Sequence, residues 1–173
     1  MTQVTQVTQA ASARRRALEA PGAAPGGHVV GLAFLLSLGG LGISAYLTAA
    51  HYVGTQALAC SDNGIVNCAK VTTSAQSHIA GVPVAVLGLA YYLVVTALNL
   101  PAAWRSSDRR LHVARLALAS AGMLFVLYLV SAELLIIGSI CIWCTAVHVV
   151  TFLLLVLVVA TVPPMLGWAR REP

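Results

Sequence analysis

Charged side chains are scarce in this chain of 173 residues. They make up 9% of it, whereas a soluble globular domain carries about 25%. Hydrophobic residues make up 59%, and the mean hydropathy is +0.87, which indicates a membrane protein. The formal net charge is +5, but no folded soluble domain is present to carry a basic face, so we expect no nucleic acid as a partner.

Four apolar stretches are long enough to cross a bilayer, for which a helix needs about 20 residues. They are residues 29–50, 79–100, 113–137 and 140–162. Pro83 lies in the first turns of the second stretch, and Pro163-Pro164 closes the fourth. Because backbone groups in lipid must bond internally, each stretch is predicted to be a helix. The predicted fold is an all-α membrane protein, a four-transmembrane-helix bundle with a long extracytoplasmic loop between helices 1 and 2.

The basic residues predict the orientation of this bundle. Only Lys70 falls in the loop after the first stretch, and the other nine of the ten lie on the opposite side. Those nine are Arg14, Arg15, Arg16, Arg105, Arg109, Arg110, Arg115, Arg170 and Arg171. The positive-inside rule then makes both termini cytoplasmic and the loop extracytoplasmic. We expect a disordered tail over residues 1–28, the transmembrane domain over 29–162 and a cytoplasmic tail over 163–173.

The chain has only four cysteines, and all four fall on the predicted outer side. Cys60 and Cys68 lie in a loop of about 30 residues, a length that is uncommon unless functional. Cys141 and Cys144 form a C-I-W-C at the start of the fourth helix, where the positive end of the dipole stabilises a thiolate. Two thiol pairs on an oxidising side of a membrane indicate thiol–disulfide exchange between them. A membrane quinone is the expected acceptor at that depth.

Two other uses of these cysteines stay open. They could form structural disulfides in a membrane scaffold or transporter subunit. A pair three residues apart closes almost no loop, which makes Cys141 and Cys144 a poor staple. They could also bind zinc, although the spacing is not that of a closed finger-like site.

The order and spacing of several motifs resemble the vitamin K epoxide reductase family, particularly its bacterial members. The motifs are C-x7-C in the first outer loop, Ser74 six residues after the second cysteine, the G-x-P at Gly81-Val82-Pro83, and C-x-W-C opening the fourth helix. The resemblance covers about residues 29–162. It implies a membrane thiol oxidoreductase in a bacterial plasma (inner) membrane.

The resemblance also implies a role for each cysteine. Cys60 is similar to the shuttle cysteine that exchanges with a partner, and Cys68 to the cysteine that relays electrons to Cys141. Cys144 resembles the cysteine that faces the quinone and can form an adduct with it. Ser74 resembles a hydroxyl residue near the quinone head group, although on sequence alone it could equally cap a helix.

Two positions depart from the vertebrate members of that family. His148 stands where they have a tyrosine, four residues after the last cysteine, and Val84 is among the apolar residues where they have an asparagine. Both departures favour reduction of a quinone over reduction of vitamin K epoxide. We therefore predict quinone contacts from Ser74, Cys144 and His148.

The expected activity is reoxidation of a thioredoxin-fold partner of the DsbA type with reduction of a menaquinone- or ubiquinone-type quinone, without a metal. Its result would be disulfide formation in exported proteins. Many bacterial members carry a fused thioredoxin-like domain; since this chain ends at Pro173, we expect a separate partner. Electron flow in the reverse direction stays open. An unrelated four-helix thiol oxidase that is coupled to quinones, the disulfide bond formation protein B type, has the two cysteine pairs in the opposite order. The order in this chain therefore disfavours that type.

Three further residues allow two interpretations each. Glu133 could relay the protons that quinone reduction consumes, or it could be a snorkelling or capped carboxylate. Lys70 could favour a thiolate at Cys68 or be a solvated loop charge. For Trp143, packing or an anchor at the membrane interface is favoured over a redox role.

Overall fold

The computed structural model describes residues 25–60 and 63–167, which are mostly helical. Six α-helices are α1 Gly27–Val53, α2 Cys68–Thr72, α3 Val84–Leu98, α4 Pro101–Arg105, α5 Arg109–Ser131 and α6 Ile142–Met165. The strands β1 His78–Ile79 and β2 Val82–Pro83 form a hairpin. The predicted terminal tails lie mostly outside the described residues, as do Arg14, Arg15, Arg16, Arg170 and Arg171.

Three of the described helical segments are long and apolar enough to span a membrane. They are Gly27–Val53, Arg109–Ile137 and Ile142–Met165. Leucines on their outward faces are well exposed, as expected for sides that meet lipid, and Leu35, Leu124 and Leu135 are examples. The prediction of an all-α membrane protein is therefore confirmed in its coarse form, whereas the fourth apolar helix, Val84–Leu98, is shorter at 15 residues.

The predicted second span begins too early, because its first residues form the hairpin. His78 pairs with Pro83 and Ile79 with Val82, which leaves a two-residue turn. Both turn residues, Ala80 and Gly81, have positive φ angles of 50° and 80°, as a tight hairpin turn of the primed type requires. Pro83 precedes α3 instead of lying in its first turns, since the helix begins at the next residue.

Small residues let α1 approach α3 closely. The buried face of α1 carries Ala33, Ser37, Gly40, Ser44, Leu47 and Ala50, which recur every three or four residues. A Cβ atom on Gly40 would overlap the ring of Tyr92, and Gly88 of α3 faces the Ser44 hydroxyl. Close approach through small residues is a common packing mode for helices in membranes, where no hydrophobic effect drives association.

The segment that joins α5 to α6 is irregular at its start and short. A π-helix over Ala132–Ile137 continues α5 and ends at Gly138, whose φ angle is 64°. Gly138 to Cys141 then lead into α6, so the two helices are antiparallel neighbours. At the other end α6 does not stop at the prolines: Pro163 and Pro164 lie inside its last turns, and the helix reaches Met165.

Candidate functional site

Cys60 and Cys68 form a disulfide, with their Cα atoms 6.1 Å apart. Cys68 opens α2 and is only 2% exposed, while Cys60 is half-buried. The side chain of Asn67 caps this short helix by accepting a hydrogen bond from the Lys70 N–H at 2.8 Å. Cys68 is thus held on a capped helix in the core, whereas the sequence predicted only a long loop there.

Main-chain hydrogen bonds join the segment before Cys68 to the segment before Cys141. The N–H of Ile140 donates to the carbonyl of Ile65 at 2.8 Å, and the N–H of Asn67 donates to the carbonyl of Ile140 at 3.1 Å. They make a short parallel bridge between Val66 and Ile140. Cys68 and Cys141 consequently belong to one buried cluster at this end of the bundle.

Cys141 is the N-cap of α6 rather than its first helical residue. Its sulphur accepts hydrogen bonds from the Cys144 N–H at 3.3 Å and from the Cys144 thiol at 2.7 Å. The bond from the Cys144 thiol, ahead of the main-chain bonds, lowers the pKa of Cys141 and favours its thiolate. Cys141 is fully buried and Cys144 is partly buried, and no disulfide joins them in the structure.

A tyrosine and a tryptophan hold the chain just before Cys60. The Tyr46 hydroxyl donates to the carbonyl of Ala57 and accepts from the N–H of Ala59, both at 2.8 Å. The Trp143 indole N–H donates to the carbonyl of Ala59 at 3.1 Å. The two rings meet edge to face at 4.8 Å between centroids. Trp143 therefore has a specific hydrogen bond beyond the packing role expected of it.

A cavity of about 390 Å³ opens beside the C-x-x-C pair. Its walls are mainly apolar. They come from α1, α2, α3, α5, the π-helix and α6, and from the segment between α2 and α3. Its apolar lining includes Leu47, Val71, Pro83, Val84, Leu87, Tyr91, Phe125, Val126, Leu129, Ile137 and Val147. Few polar groups interrupt this lining, a composition typical of a site for an apolar ligand with a polar head.

All three residues predicted to contact a quinone line this cavity: Ser74, Cys144 and His148. The Ser74 hydroxyl donates to the Val71 carbonyl at 2.8 Å; it makes no capping bond to the short 3-10 helix that follows it. His148 is 8% exposed, and its ring has no hydrogen-bond partner among residues 25–60 and 63–167. A buried imidazole on an apolar wall is free to bond a ligand oxygen.

Glu133 also lines the cavity, from the π-helix that ends α5. It is 6% exposed, and its carboxyl group lies near the main chain of Cys141. The carboxylate is close enough for its charge to act on both Cys141 and Cys144. A carboxyl group thus borders both the thiols and the cavity. The π-helix that carries it is of a kind frequently found at functional sites.

Sequence reasoning did not identify two parts of this site. Tyr46 showed no signal beyond being an aromatic residue near a helix end. Deep in the cavity, the Tyr92 and Thr151 hydroxyls bond each other at 2.8 Å, a pairing between α3 and α6 that only the fold reveals. Lys70 is exposed on α2, in keeping with a solvated charge.

Within the part of the chain that the structure describes, no three metal-ligating side chains come together. The model of the vitamin K epoxide reductase family matches residues 32–159, which contain all four cysteines and every residue that lines the cavity. A search of curated proteins found no match to this chain.

Proposed function

This chain belongs to the vitamin K epoxide reductase family, and we propose that it is a membrane thiol:quinone oxidoreductase. In this proposal it reoxidises a thioredoxin-fold partner, reduces a membrane quinone and thereby drives disulfide formation in exported proteins. The family supports an oxidoreductase, and three membrane-spanning candidates support a membrane location. The acceptor, the partner and the order of the steps are what we propose beyond that.

One observation carries the proposal: the C-x-x-C pair lies between the outer disulfide and the apolar cavity. Cys141 shares a buried cluster with Cys68, while Cys144 borders the cavity. Electrons that enter at the outer pair can therefore reach the cavity through two sulphurs that are 2.7 Å apart. A structural staple would need no such cavity beside it.

The first half of the proposed cycle is thiol–disulfide exchange at the outer pair. A partner thiolate attacks Cys60, because Cys60 is half-buried whereas Cys68 is almost fully buried. The bond between Cys60 and Cys68 breaks, a mixed disulfide forms and Cys68 leaves as a thiolate. The second partner thiol then releases the partner as a disulfide and leaves Cys60 reduced.

The second half passes the same two electrons to the inner pair. The Cys68 thiolate attacks an oxidised Cys141–Cys144 disulfide at Cys141, and Cys144 leaves as a thiolate. Cys60 then attacks Cys68, which restores the outer disulfide and leaves both inner cysteines reduced. No step so far requires a cofactor.

The cavity fits a quinone as the acceptor. Its apolar walls suit a ring with an isoprenoid tail. The His148 imidazole, which has no hydrogen-bond partner among the described residues, suits a ring oxygen. When bound there, a quinone supplies a two-electron acceptor. Cys144, which borders the cavity, gives up the electron pair, and Cys141 closes the disulfide with it. Two thiols lose two protons and two electrons, which balances formation of one hydroquinone.

Glu133 is suited to move protons between the two reactants. Its side chain lines the same cavity as Cys144 and lies near Cys141, so one group can take a proton from a thiol and give it to a ligand oxygen. We propose this relay as part of the same function.

The proposed orientation puts the cysteines on the extracytoplasmic side of a bacterial plasma membrane. Among the described residues, Arg105, Arg109 and Arg110 lie at the end of the bundle opposite the cysteines, as the positive-inside rule asks of the cytoplasmic face. The partner, a soluble thioredoxin-fold protein, would then meet Cys60 in the oxidising compartment.

The test uses the full chain in lipid vesicles, a reduced thioredoxin-fold protein and a quinone, without oxygen. We expect the partner to become oxidised in step with hydroquinone. A Cys68→Ser variant should stop turnover, because Cys60 then has no disulfide bond for the reduced partner to attack. When the oxidised partner is supplied instead, the Cys60 thiolate of this variant should attack the partner disulfide, release the second partner sulphur as a thiolate and accumulate a mixed disulfide, whereas Cys60→Ser should form none. The proposal fails if the Cys60→Ser variant still sustains full turnover.

A redox titration distinguishes the scaffold alternative. Structural disulfides should resist reduction uniformly, whereas exchanging pairs should equilibrate with the partner over a graded series of reductants. The same titration decides the direction of flow, because electrons move inward only if the partner pair has the more negative potential.

A further inference from the structure

Both main-chain polar groups of Ala59 are bound by aromatic side chains from other elements. Its N–H donates to the Tyr46 hydroxyl at 2.8 Å, and its carbonyl accepts from the Trp143 indole at 3.1 Å. The same tyrosine hydroxyl donates to Ala57 at 2.8 Å, so it bridges two residues of the loop. The residue next along the chain is Cys60, half of the outer disulfide.

The two aromatic residues belong to the two helices that border the outer loop. Tyr46 lies in α1, and Trp143 lies between the two cysteines of the C-x-x-C at the start of α6. Their rings are in edge-to-face contact, which joins the two hydrogen-bonding side chains into one unit. The chain before Cys60 is thereby fixed to the same helical turn that carries the inner thiols.

We propose that Tyr46 and Trp143 are positioning residues for Cys60, which hold its sulphur within bonding distance of Cys68 and fix the outer pair against the C-x-x-C turn. A disulfide closes more readily when its two thiols are already held together, because less chain entropy is lost on closure. The inference deepens the proposed function, in which the partner thiolate attacks the Cys60 sulphur of the outer disulfide. It concerns a property of the outer pair that exists without partner or quinone.

Tyr46→Phe is the sharpest variant, because it removes both hydroxyl hydrogen bonds and keeps the ring that packs on Trp143. We expect the equilibrium constant for forming the Cys60–Cys68 disulfide against glutathione to fall about tenfold, from two lost bonds of ordinary strength. That fall equals a potential about 30 mV less negative. Trp143→Phe removes one bond and should give a smaller fall in the same direction.

Tyr52→Phe is the matched control, since Tyr52 lies in the same helix with 71% of its surface exposed. It should leave the constant unchanged. A general loosening of the structure would also change the equilibrium constant for forming the Cys141–Cys144 disulfide. We expect that constant to keep its wild-type value in the Tyr46→Phe protein. The proposal is overturned if Tyr46→Phe leaves the outer constant unchanged, or if both pairs shift equally. The titration contains neither partner nor quinone. A negative result would therefore overturn the positioning role while quinone-dependent turnover persists, and a loss of turnover would leave the titration result unchanged.

Discussion

Asn67 donates its main-chain N–H to the carbonyl of Ile140 at 3.1 Å, which brings the residue before Cys68 beside the residue before Cys141. The N–H of Ile140 in turn donates to Ile65 at 2.8 Å. The two cysteine pairs are far apart in the chain, and this short bridge is what sets one beside the other. Exchange between them requires that proximity, since each step is a direct attack of sulphur on sulphur.

Loss of the bridge should slow exchange between the pairs. Ile140→Pro removes the N–H that bonds Ile65 and should lower the rate of transfer from the outer to the inner pair about tenfold, as expected for a misaligned attack. The rate is measured by rapid thiol trapping after the outer pair alone is reduced. Ile65→Ala keeps the accepting carbonyl and changes only an exposed side chain, so it should transfer at the wild-type rate. Equal rates in Ile140→Pro and wild type would show that the bridge does not matter.

The thiol of Cys144 should govern the titration of Cys141. Its hydrogen bond lowers the pKa of Cys141, so the thiolate persists as the pH falls below the usual value and is lost only when the pH passes the lowered pKa. In a Cys60→Ser, Cys68→Ser background, Cys144→Ala removes the donor and should move the thiolate absorbance titration to higher pH. Cys144→Ser keeps a donor and should move it less. A larger shift for serine than for alanine would disprove this cause.

The Glu133 carboxyl should matter for the quinone step alone. Glu133→Gln keeps the size and polarity of the side chain, but the amide cannot take up and release a proton as a carboxyl group does. We expect oxidation of the reduced inner pair by a quinone to slow by about 100-fold, the lower range for loss of a general acid–base group. Exchange between the two pairs should keep its rate. Asp108→Asn, a change of the same kind at the cap of α5, should affect neither step. An unchanged quinone step in Glu133→Gln would remove Glu133 from the mechanism.

Two adjacent glycines of α1 should respond oppositely to alanine. A Cβ on Gly40 would overlap the Tyr92 ring, so Gly40→Ala should lower the free energy of unfolding by about 1–3 kcal/mol. A Cβ on Gly39 meets nothing within 4 Å, and alanine there should stabilise the helix by up to about 1 kcal/mol. Unfolding in mixed detergent micelles measures both. Equal stability of the two variants would contradict the close approach of α1 to α3.

Hydropathy and cysteine spacing predicted much of this molecule because both reflect strong constraints. Lipid requires long apolar helices, and three of the predicted spans correspond to α1, α5 with its π-helix, and α6. The predicted start of the second span was wrong, because apolar residues such as Ile79 and Val82 can form a hairpin as well as a helix. Apolar content alone cannot distinguish the two over so few residues.

Features that depend on contacts between distant residues could not be predicted. The bridge between Val66 and Ile140 and the bond from Trp143 to Ala59 join segments that are about 75 to 85 residues apart in the chain. The continuation of α6 through Pro163 was also missed, since proline ordinarily ends a helix. Site residues such as Ser74 and His148 were found through family resemblance, and their quinone contacts stay predictions.

The most direct test of the relay is the fate of the outer thiols when the inner pair is broken. The full chain in vesicles is reduced at all four cysteines, mixed with a quinone without oxygen, and its free thiols are trapped and counted. The wild type should oxidise both pairs, because the inner pair passes oxidation outward. Cys144→Ser should keep Cys60 and Cys68 reduced, since the quinone reaches them only through the inner pair. Oxidation of the outer pair by quinone in Cys144→Ser, at the wild-type rate, would contradict the relay.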